Sequence, residues 1–287
     1  MSSSWQWDET LYAGSSEYYA RGRVRYPREV AEAVREELSL DGTGRLLDVG
    51  CGPGALTLVL APLFAEAVGV DADAQMLAEA EHRAVAAGSE NVRWVHMRAE
   101  ELPARLGSFQ AVTFAQSFHW MERPRVATAV RSMLAPGGVW IHVNATTHRG
   151  IGAAPGDVPS PPHDEIEELV ARFLGPVRRA GRAWLPDGTV EGEEEVMIAA
   201  GYSLRARLVV PSKIVAGPPT TSSPRSTRAP RPRRISSGDR LGEFEQELRA
   251  LLGRVAADGR FRERMREIEI VCWEPGPLPL RTFDAIA

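Results

Sequence analysis

The chain has 287 residues, 34 Lys and Arg against 38 Asp and Glu, a formal net charge of −4 and 44% hydrophobic residues. That length fits one large domain or two small ones, and the hydrophobic share excludes a wholly disordered chain. The slightly acidic balance speaks against a dedicated nucleic-acid binder, which carries a basic surplus.

The first ten residues, MSSSWQWDET, have neither the basic region nor the apolar core of a signal peptide. Residues 1–44 carry Trp5, Trp7, Tyr12, Tyr18, Tyr19 and Tyr26. They end in a helix expected over 27–38, where Pro27 suits the first turn. From 45 to 143, short apolar runs alternate with helical periods. Strands are expected at 45–49 (RLLDV), 67–71 (AVGVD), 91–97 (NVRWVHM), 109–115 (FQAVTFA) and 139–143. Helices are expected at 56–64, at 74–87 with Met76, Leu77, Ala80 and Ala84 on one face, and at 124–134, stopping before Pro136-Gly137-Gly138. Alternation with such short connections predicts a parallel sheet covered on both faces, and right-handed crossovers make it doubly wound and Rossmann-like.

Beyond residue 144 the pattern changes. Residues 145–162 read as a Gly- and Pro-rich loop, 163–174 and 191–200 as helices, 204–210 as a strand, 240–255 as a helix and 268–273 as a last strand. The stretch 216–237 holds five prolines, five arginines and eight Ser or Thr, with Ile235 its only large aliphatic residue. It buries too little apolar surface to offset its ordering entropy, so disorder is expected. A basic tether is a second reading, and a local shift of coding frame a third: GC-rich codons for Pro218 to Pro224, read one base earlier, specify an ordinary helix start. Three regions follow: an N-terminal segment over 1–44, a core over 45–144, and a helical insertion with C-terminal strands over 145–287. Cys51 and Cys272, the only two cysteines, make no disulfide framework or zinc cluster and fit a reducing cytoplasm. No apolar run approaches the ~20 residues that span a bilayer.

The strongest chemical signal is LLDVGCGPG, residues 46–54. A strand ends in an acid, then Gly50, Gly52 and Gly54 form a turn into a helix. Glycines let backbone approach a ligand that a Cβ would repel, and a helix start offers free N–H groups. The third glycine comes one position earlier than in the nicotinamide-cofactor pattern, and Asp48 beside the turn suits an ammonium group better than a phosphate. Asp71, at the end of the second strand, can hold both hydroxyls of a ribose, or it can cap the helix that follows Asp71-Ala72-Asp73. Ala99-Glu100 follows the third strand. Gln116, Phe118, His119 and Trp120 follow the fourth, at the carboxyl edge where doubly wound sheets bind ligands.

Together these motifs resemble the class I S-adenosylmethionine-dependent methyltransferases. LLDVGCGPG is similar to their glycine motif, VGVDADAQML to the ribose motif, MRAEELP to the adenine motif and LAPGGVWIHV to the segment before strand five. FAQSFHWM together with YARGRVRYP, residues 19–27, resembles the small-molecule branch of the methyltransferase-11 type. The resemblance implies an α/β, Rossmann-like sheet, mostly parallel, with a C-terminal antiparallel addition from 204–210 and 268–273. It implies S-adenosylmethionine as cofactor and S-adenosylhomocysteine as product. Gly50, Cys51, Gly52 and Gly54 would then line the methionine end, with Asp48 near the ammonium. Asp71, Ala72 and Met76 would meet the ribose side, Ala99 and Glu100 the adenine, and Gln116 the sulfonium end. Tyr19 and Arg23 would close the site as a lid.

Methyl transfer from a sulfonium is an in-line displacement with a neutral leaving group, so a base is needed only where the acceptor must lose a proton. His119 is the candidate base, with a structural histidine beside Trp120 as the alternative. The expected acceptor is a small organic molecule, reached through 1–30 and 145–200. A nucleic-acid acceptor fits poorly, because the segment after strand four lacks the Pro-Pro-aromatic tetrapeptide used against a flipped base. The remaining alternative is a chain that binds S-adenosylmethionine without transferring its methyl group.

Overall fold

Leu46, Leu47 and Val49 are all but inaccessible to solvent, so the run Arg45–Val49 (β1) is a strand covered on both faces, at the centre of a sheet. A computed structural model describes residues 26–144, 156–174, 179–180, 183–184, 192–217 and 239–276. The expected lid over 1–25 and nearly all of the Pro- and Arg-rich stretch lie outside the described residues.

In chain order the elements are α1 (Arg28–Leu38), β1, α2 (Thr57–Leu60), β2 (Glu66–Asp71), α3 (Ala74–Ala87), β3 (Val92–His96), β4 (Phe109–Ala115), α4 (Arg123–Arg131) and β5 (Leu134–Asn144). There follow α5 (His163–Leu174), β6 (Arg179–Ala180), β7 (Ala183–Trp184), α6 (Glu193–Ala199), β8 (Tyr202–Val210), β9 (Ile214–Gly217), α7 (Asp239–Val255), β10 (Phe261–Arg264) and β11 (Ile268–Pro275). Each helix start and stop has a local cause. Pro27 precedes α1 with extended backbone, and Ser39 ends it in the left-handed region. Asp73 caps α3 by accepting from the backbone N–H of Gln75 and Met76, and Gly88 terminates it. The expected buried face of α3, Met76, Leu77, Ala80 and Ala84, is the observed one. The helix expected over 56–64 is instead one α turn followed by a 3₁₀ turn over Ala61–Leu63, because Pro62 has no N–H to continue the ladder.

Seven strands form one sheet in the order β3-β2-β1-β4-β5-β11-β8. β1 to β5 are mutually parallel, and β11 lies antiparallel between β5 and β8. The fold is therefore the expected mostly parallel α/β sheet. One detail differs: β8 runs with the five parallel strands, and β11 alone is reversed. β5 also begins at Leu134, earlier than expected, because Leu134 pairs with Phe109 before a bulge that rejoins at Ala111 and Val139. Glycine is required at that bulge, since a Cβ on Gly138 would lie 2.8 Å from the carbonyl oxygens of Ala135 and Phe109. The short pair β9–β10 was not expected from the sequence.

The strand order reverses between β1 and β4, which opens a crevice at the carboxyl edge there. The connections after β5 and β8 also leave from that edge. They carry α5 and α7, which share a small separate core of Ile166, Leu169, Val170, Phe173, Phe244 and Leu251. No helix among the described residues is long and apolar enough to cross a membrane.

Trp94 on the edge strand β3 fills the space left by two glycines. A Cβ on Gly69 would lie 2.4 Å from Cζ3 of that ring, and one on Gly54 would lie 2.7 Å from its Cη2. Gly69→Ala is therefore expected to lose about 1–3 kcal/mol by overpacking, read as a lower urea midpoint. Adding Trp94→Val relieves the overlap, so the double variant should be more stable than the sum of the two single losses.

Candidate functional site

The turn after β1 is built by backbone. The Val70 carbonyl accepts from the N–H of both Gly50 and Cys51, at 2.8 and 3.1 Å, which ties the turn to the end of β2. A Cβ on Gly50 would lie 2.6 Å from Cβ of Ser117 and 2.9 Å from Cε of Met121, so this glycine admits the loop that follows β4. Ser117 in turn donates from Oγ to the Val49 carbonyl at 2.7 Å. Gly54 is needed by Trp94, as above. Gly52 is different: its φ is +53°, and a Cβ there would meet nothing within 4 Å. Its backbone approaches open space, and its N–H donates to Oδ2 of Asp71 at 2.8 Å.

Asp48 does not reach that space. It is 1% exposed, and Oδ2 accepts from Thr57 Oγ1 at 2.5 Å while Oδ1 accepts from Thr113 Oγ1 at 2.8 Å. The expected place beside an ammonium group is therefore not open to this side chain, because the core encloses it. Burial pushes its pKa up to about 6 against the two hydroxyl hydrogen bonds that pull it down. Cys51 is equally enclosed, and burial with the nearby Asp71 and Asp48 carboxylates raises its thiol well above the ordinary value. A thiol held neutral in this way is no nucleophile.

Of the two roles the sequence left open for Asp71, the helix cap is taken by Asp73. Asp71 faces the glycine turn, half-buried, with Oδ1 accepting from Asp73 N–H at 2.9 Å. Each carboxylate oxygen keeps lone-pair capacity for a further donor. Burial raises its pKa to about 6, opposed by its backbone hydrogen bonds. Ala72 lies beside it, its carbonyl accepting from Nε2 of His96 at 3.1 Å. Met76 is 2% exposed and belongs to the core under α3, so its expected ribose contact is not available to its side chain.

Farther along the edge, Ala99 and Glu100 form a 3₁₀ turn after β3 and are both buried. Glu100 accepts from the N–H of Glu122 at 2.9 Å and lies 3.4 Å from Arg98, so its carboxylate braces the start of α4. Ala99, the other member of the expected adenine pair, accepts at its carbonyl from the N–H of Leu102 at 3.2 Å. Gln116 follows β4 with φ +54°, a strained value for a residue other than glycine, and such strain concentrates at functional positions. His119 is half-buried in the next turn, its ring 5.4 Å from that of Trp120. Tyr19 and Arg23 lie outside the described residues.

Sequence reasoning missed Thr57, Thr113 and Ser117. The signal for Thr113 was a lone hydroxyl inside the apolar run FQAVTFA, which the register sets opposite Asp48.

Residues 46–138 match a family model described as a methyltransferase domain. An uncharacterized methyltransferase of Mycobacterium tuberculosis is 34% identical over 169 residues, 59% of this chain and 61% of that protein. A protein of Saccharomyces cerevisiae named as a probable S-adenosylmethionine-dependent methyltransferase is 29% identical over 134 residues, 45% of each chain. The chain thus spans about half the length of the relatives it matches. In fold it is similar to the crystal structure of the [4+2]-cyclase SpnF, with a TM-score of 0.50, 21% identity and coverage of 89% of this chain and 85% of that one.

The raised pKa of Asp48 has a stability consequence. The folded state holds a proton that the unfolded state releases near 3.8, so this group weakens the fold as pH rises from about 4 through about 6. Its share is at most about 3 kcal/mol. Asp48→Asn, which keeps an oxygen for a threonine hydroxyl, is expected to flatten that decline in urea titrations run at a series of pH values.

Proposed function

We propose that this chain, whose residues 46–138 match a methyltransferase-domain model, is a class I S-adenosylmethionine-dependent methyltransferase that moves a methyl group from S-adenosylmethionine to a small organic acceptor. The observation that carries the reading is the open approach to Gly52 beside the Asp71 carboxylate, at the strand-order reversal between β1 and β4. A cradle that a Cβ would fill, next to a carboxylate with spare lone pairs, fits a ribose and the chain that leads from it.

In this reading Asp71 accepts from the two ribose hydroxyls and Ala72 stands beside them. The backbone of Gly50, Cys51 and Gly52 lies along the methionine end. Ala99 offers its backbone to the adenine. Gln116 presents its amide near the sulfonium end, and Tyr19 and Arg23 complete the enclosure. Asp48 acts from behind, holding the turn in shape. The cofactor, when bound, supplies a methyl group already activated on cationic sulfur.

What remains for the chain is alignment. Fixing acceptor, methyl carbon and sulfur in line can lower the barrier by ~7–11 kcal/mol. The carboxyl-edge segments around α5 and α7 enclose the acceptor and keep water out. His119, at that edge, is the base where an acceptor must lose a proton. The dispersed cysteines and acidic balance support a cytoplasmic enzyme with a small-molecule partner and no nucleic acid. The second reading is a binder of S-adenosylmethionine that transfers nothing.

Calorimetry with S-adenosylhomocysteine tests the site. Asp71→Ala is expected to weaken binding roughly 10- to 100-fold, the worth of hydrogen bonds to a charged group. Folded wild-type protein that binds neither S-adenosylhomocysteine nor S-adenosylmethionine overturns the reading. Transfer of a radiolabelled methyl group across an acceptor panel then separates the enzyme from the binder.

The same titration has a pH signature. Ribose hydroxyls donate best to ionised Asp71, whose pKa in the free protein is about 6. Affinity should therefore fall as pH drops below that value, approaching tenfold per pH unit. Asp71→Asn should bind weakly with this dependence removed.

A further inference from the structure

β2 and β3 run parallel, with Asp71 set opposite His96 at their carboxyl ends. The last backbone bond between them runs from the N–H of Met97 to the Asp71 carbonyl at 3.0 Å. One residue farther on, a side chain takes over from the backbone. Nε2 of His96 lies 3.1 Å from the carbonyl oxygen of Ala72. A carbonyl can only accept, so Nε2 carries a proton and donates it to this bond.

The amide that joins Ala72 to Asp73 is therefore engaged at both ends. Its oxygen accepts from His96, and its N–H, on Asp73, donates to Oδ1 of Asp71 at 2.9 Å. The two groups of a planar trans amide point opposite ways, so a donor that fixes the oxygen also fixes the direction of the N–H. A hydrogen bond at the oxygen polarises the amide and strengthens donation from its nitrogen, by roughly 10–30%. The other oxygen of Asp71, Oδ2, is held by the N–H of Gly52 at 2.8 Å. The Asp71 carboxylate is thus oriented from two sides, by the glycine turn and by an amide that His96 holds. The Asp73 side chain meanwhile caps α3, which leaves this connection little slack. His96 itself is exposed, so packing does not account for the side chain.

We infer that His96 is a positioning residue for the cofactor: acting through the Ala72–Asp73 amide, it aims the Asp71 carboxylate at the two hydroxyls of the ribose. The inference rests on the ribose role given to Asp71 above. Its effect on binding passes through Asp71 and vanishes with that carboxylate.

The test is calorimetry of the full chain with S-adenosylhomocysteine, at one pH above the range in which Asp71 takes up a proton. His96→Leu removes the donor and is expected to weaken binding about three- to tenfold, the net worth of one hydrogen bond. His96→Gln, whose amide nitrogen reaches the place of Nε2, should restore most of that loss. In an Asp71→Ala background, His96→Leu should change nothing further. A loss that persists in that background makes His96 a support of the turn alone and overturns the proposal, as does a loss that glutamine leaves unrepaired. If His96→Leu does not fold, spectra of wild-type protein labelled with ¹⁵N at histidine decide. The neutral His96 ring should carry its proton on Nε2, and an Nδ1–H tautomer overturns the proposal. Wild-type protein that fails to bind S-adenosylhomocysteine overturns the cofactor reading itself. Wild-type protein that binds it no better than His96→Leu overturns the role of His96 alone.

Discussion

The rest of the structure depends on one buried carboxylate. Asp48 sits inside the central strand, and its two oxygens are held by hydroxyls from different elements, Thr57 at the start of α2 and Thr113 on β4. A charged group in that position is costly unless both oxygens are paired. Pairing them sets the spacing of β1 from β4 and the entry angle of α2 together. Those same two strands flank the crevice, and the turn between β1 and α2 lines it. The shape of the cradle at Gly52 is thus set from behind by a group that no ligand touches.

The division of labour among the glycines follows the same logic. Gly50 and Gly54 are small for the protein's own sake, one admitting Ser117 and Met121, the other admitting Trp94. Of the three glycines of this turn, Gly52 is the one whose missing Cβ leaves open space. A glycine-rich turn reads as a ligand loop in sequence, yet most of its smallness here is used for packing. Close packing around the turn is also what holds Gly52 and Asp71 in position, since interiors filled to this density deform little.

Much of this was legible in the residues. The alternation of apolar runs and helical periods between 45 and 143 led directly to β1 to β5 and to their parallel sheet. The buried face of α3 followed from its 3.6-residue period. Asp71 and the glycine turn were legible because their spacing is local. The rest depends on contacts distant in sequence. Nothing near Glu100 says that its carboxylate will turn to the N–H of Glu122, and nothing near Asp48 says that Thr113 will lie opposite. The direction of β8 was missed for a related reason. An antiparallel addition from two strands leaves open which of them is reversed, and only the entry of β11 between β5 and β8 makes β8 parallel to the other five.

That late entry shapes how the chain must assemble. During synthesis β8 emerges well before the strand that joins it to the sheet, since residues 268–275 supply every backbone partner between β5 and β8. Until they arrive, β5 is an open sheet edge with Trp140, Ile141 and Val143 in it, and β8 has no neighbour to pair with. Unpaired edges of that kind recruit other chains. A ribosome that stalls or stops anywhere in the last two dozen residues before Ile268 would therefore release a molecule with its sheet unsealed.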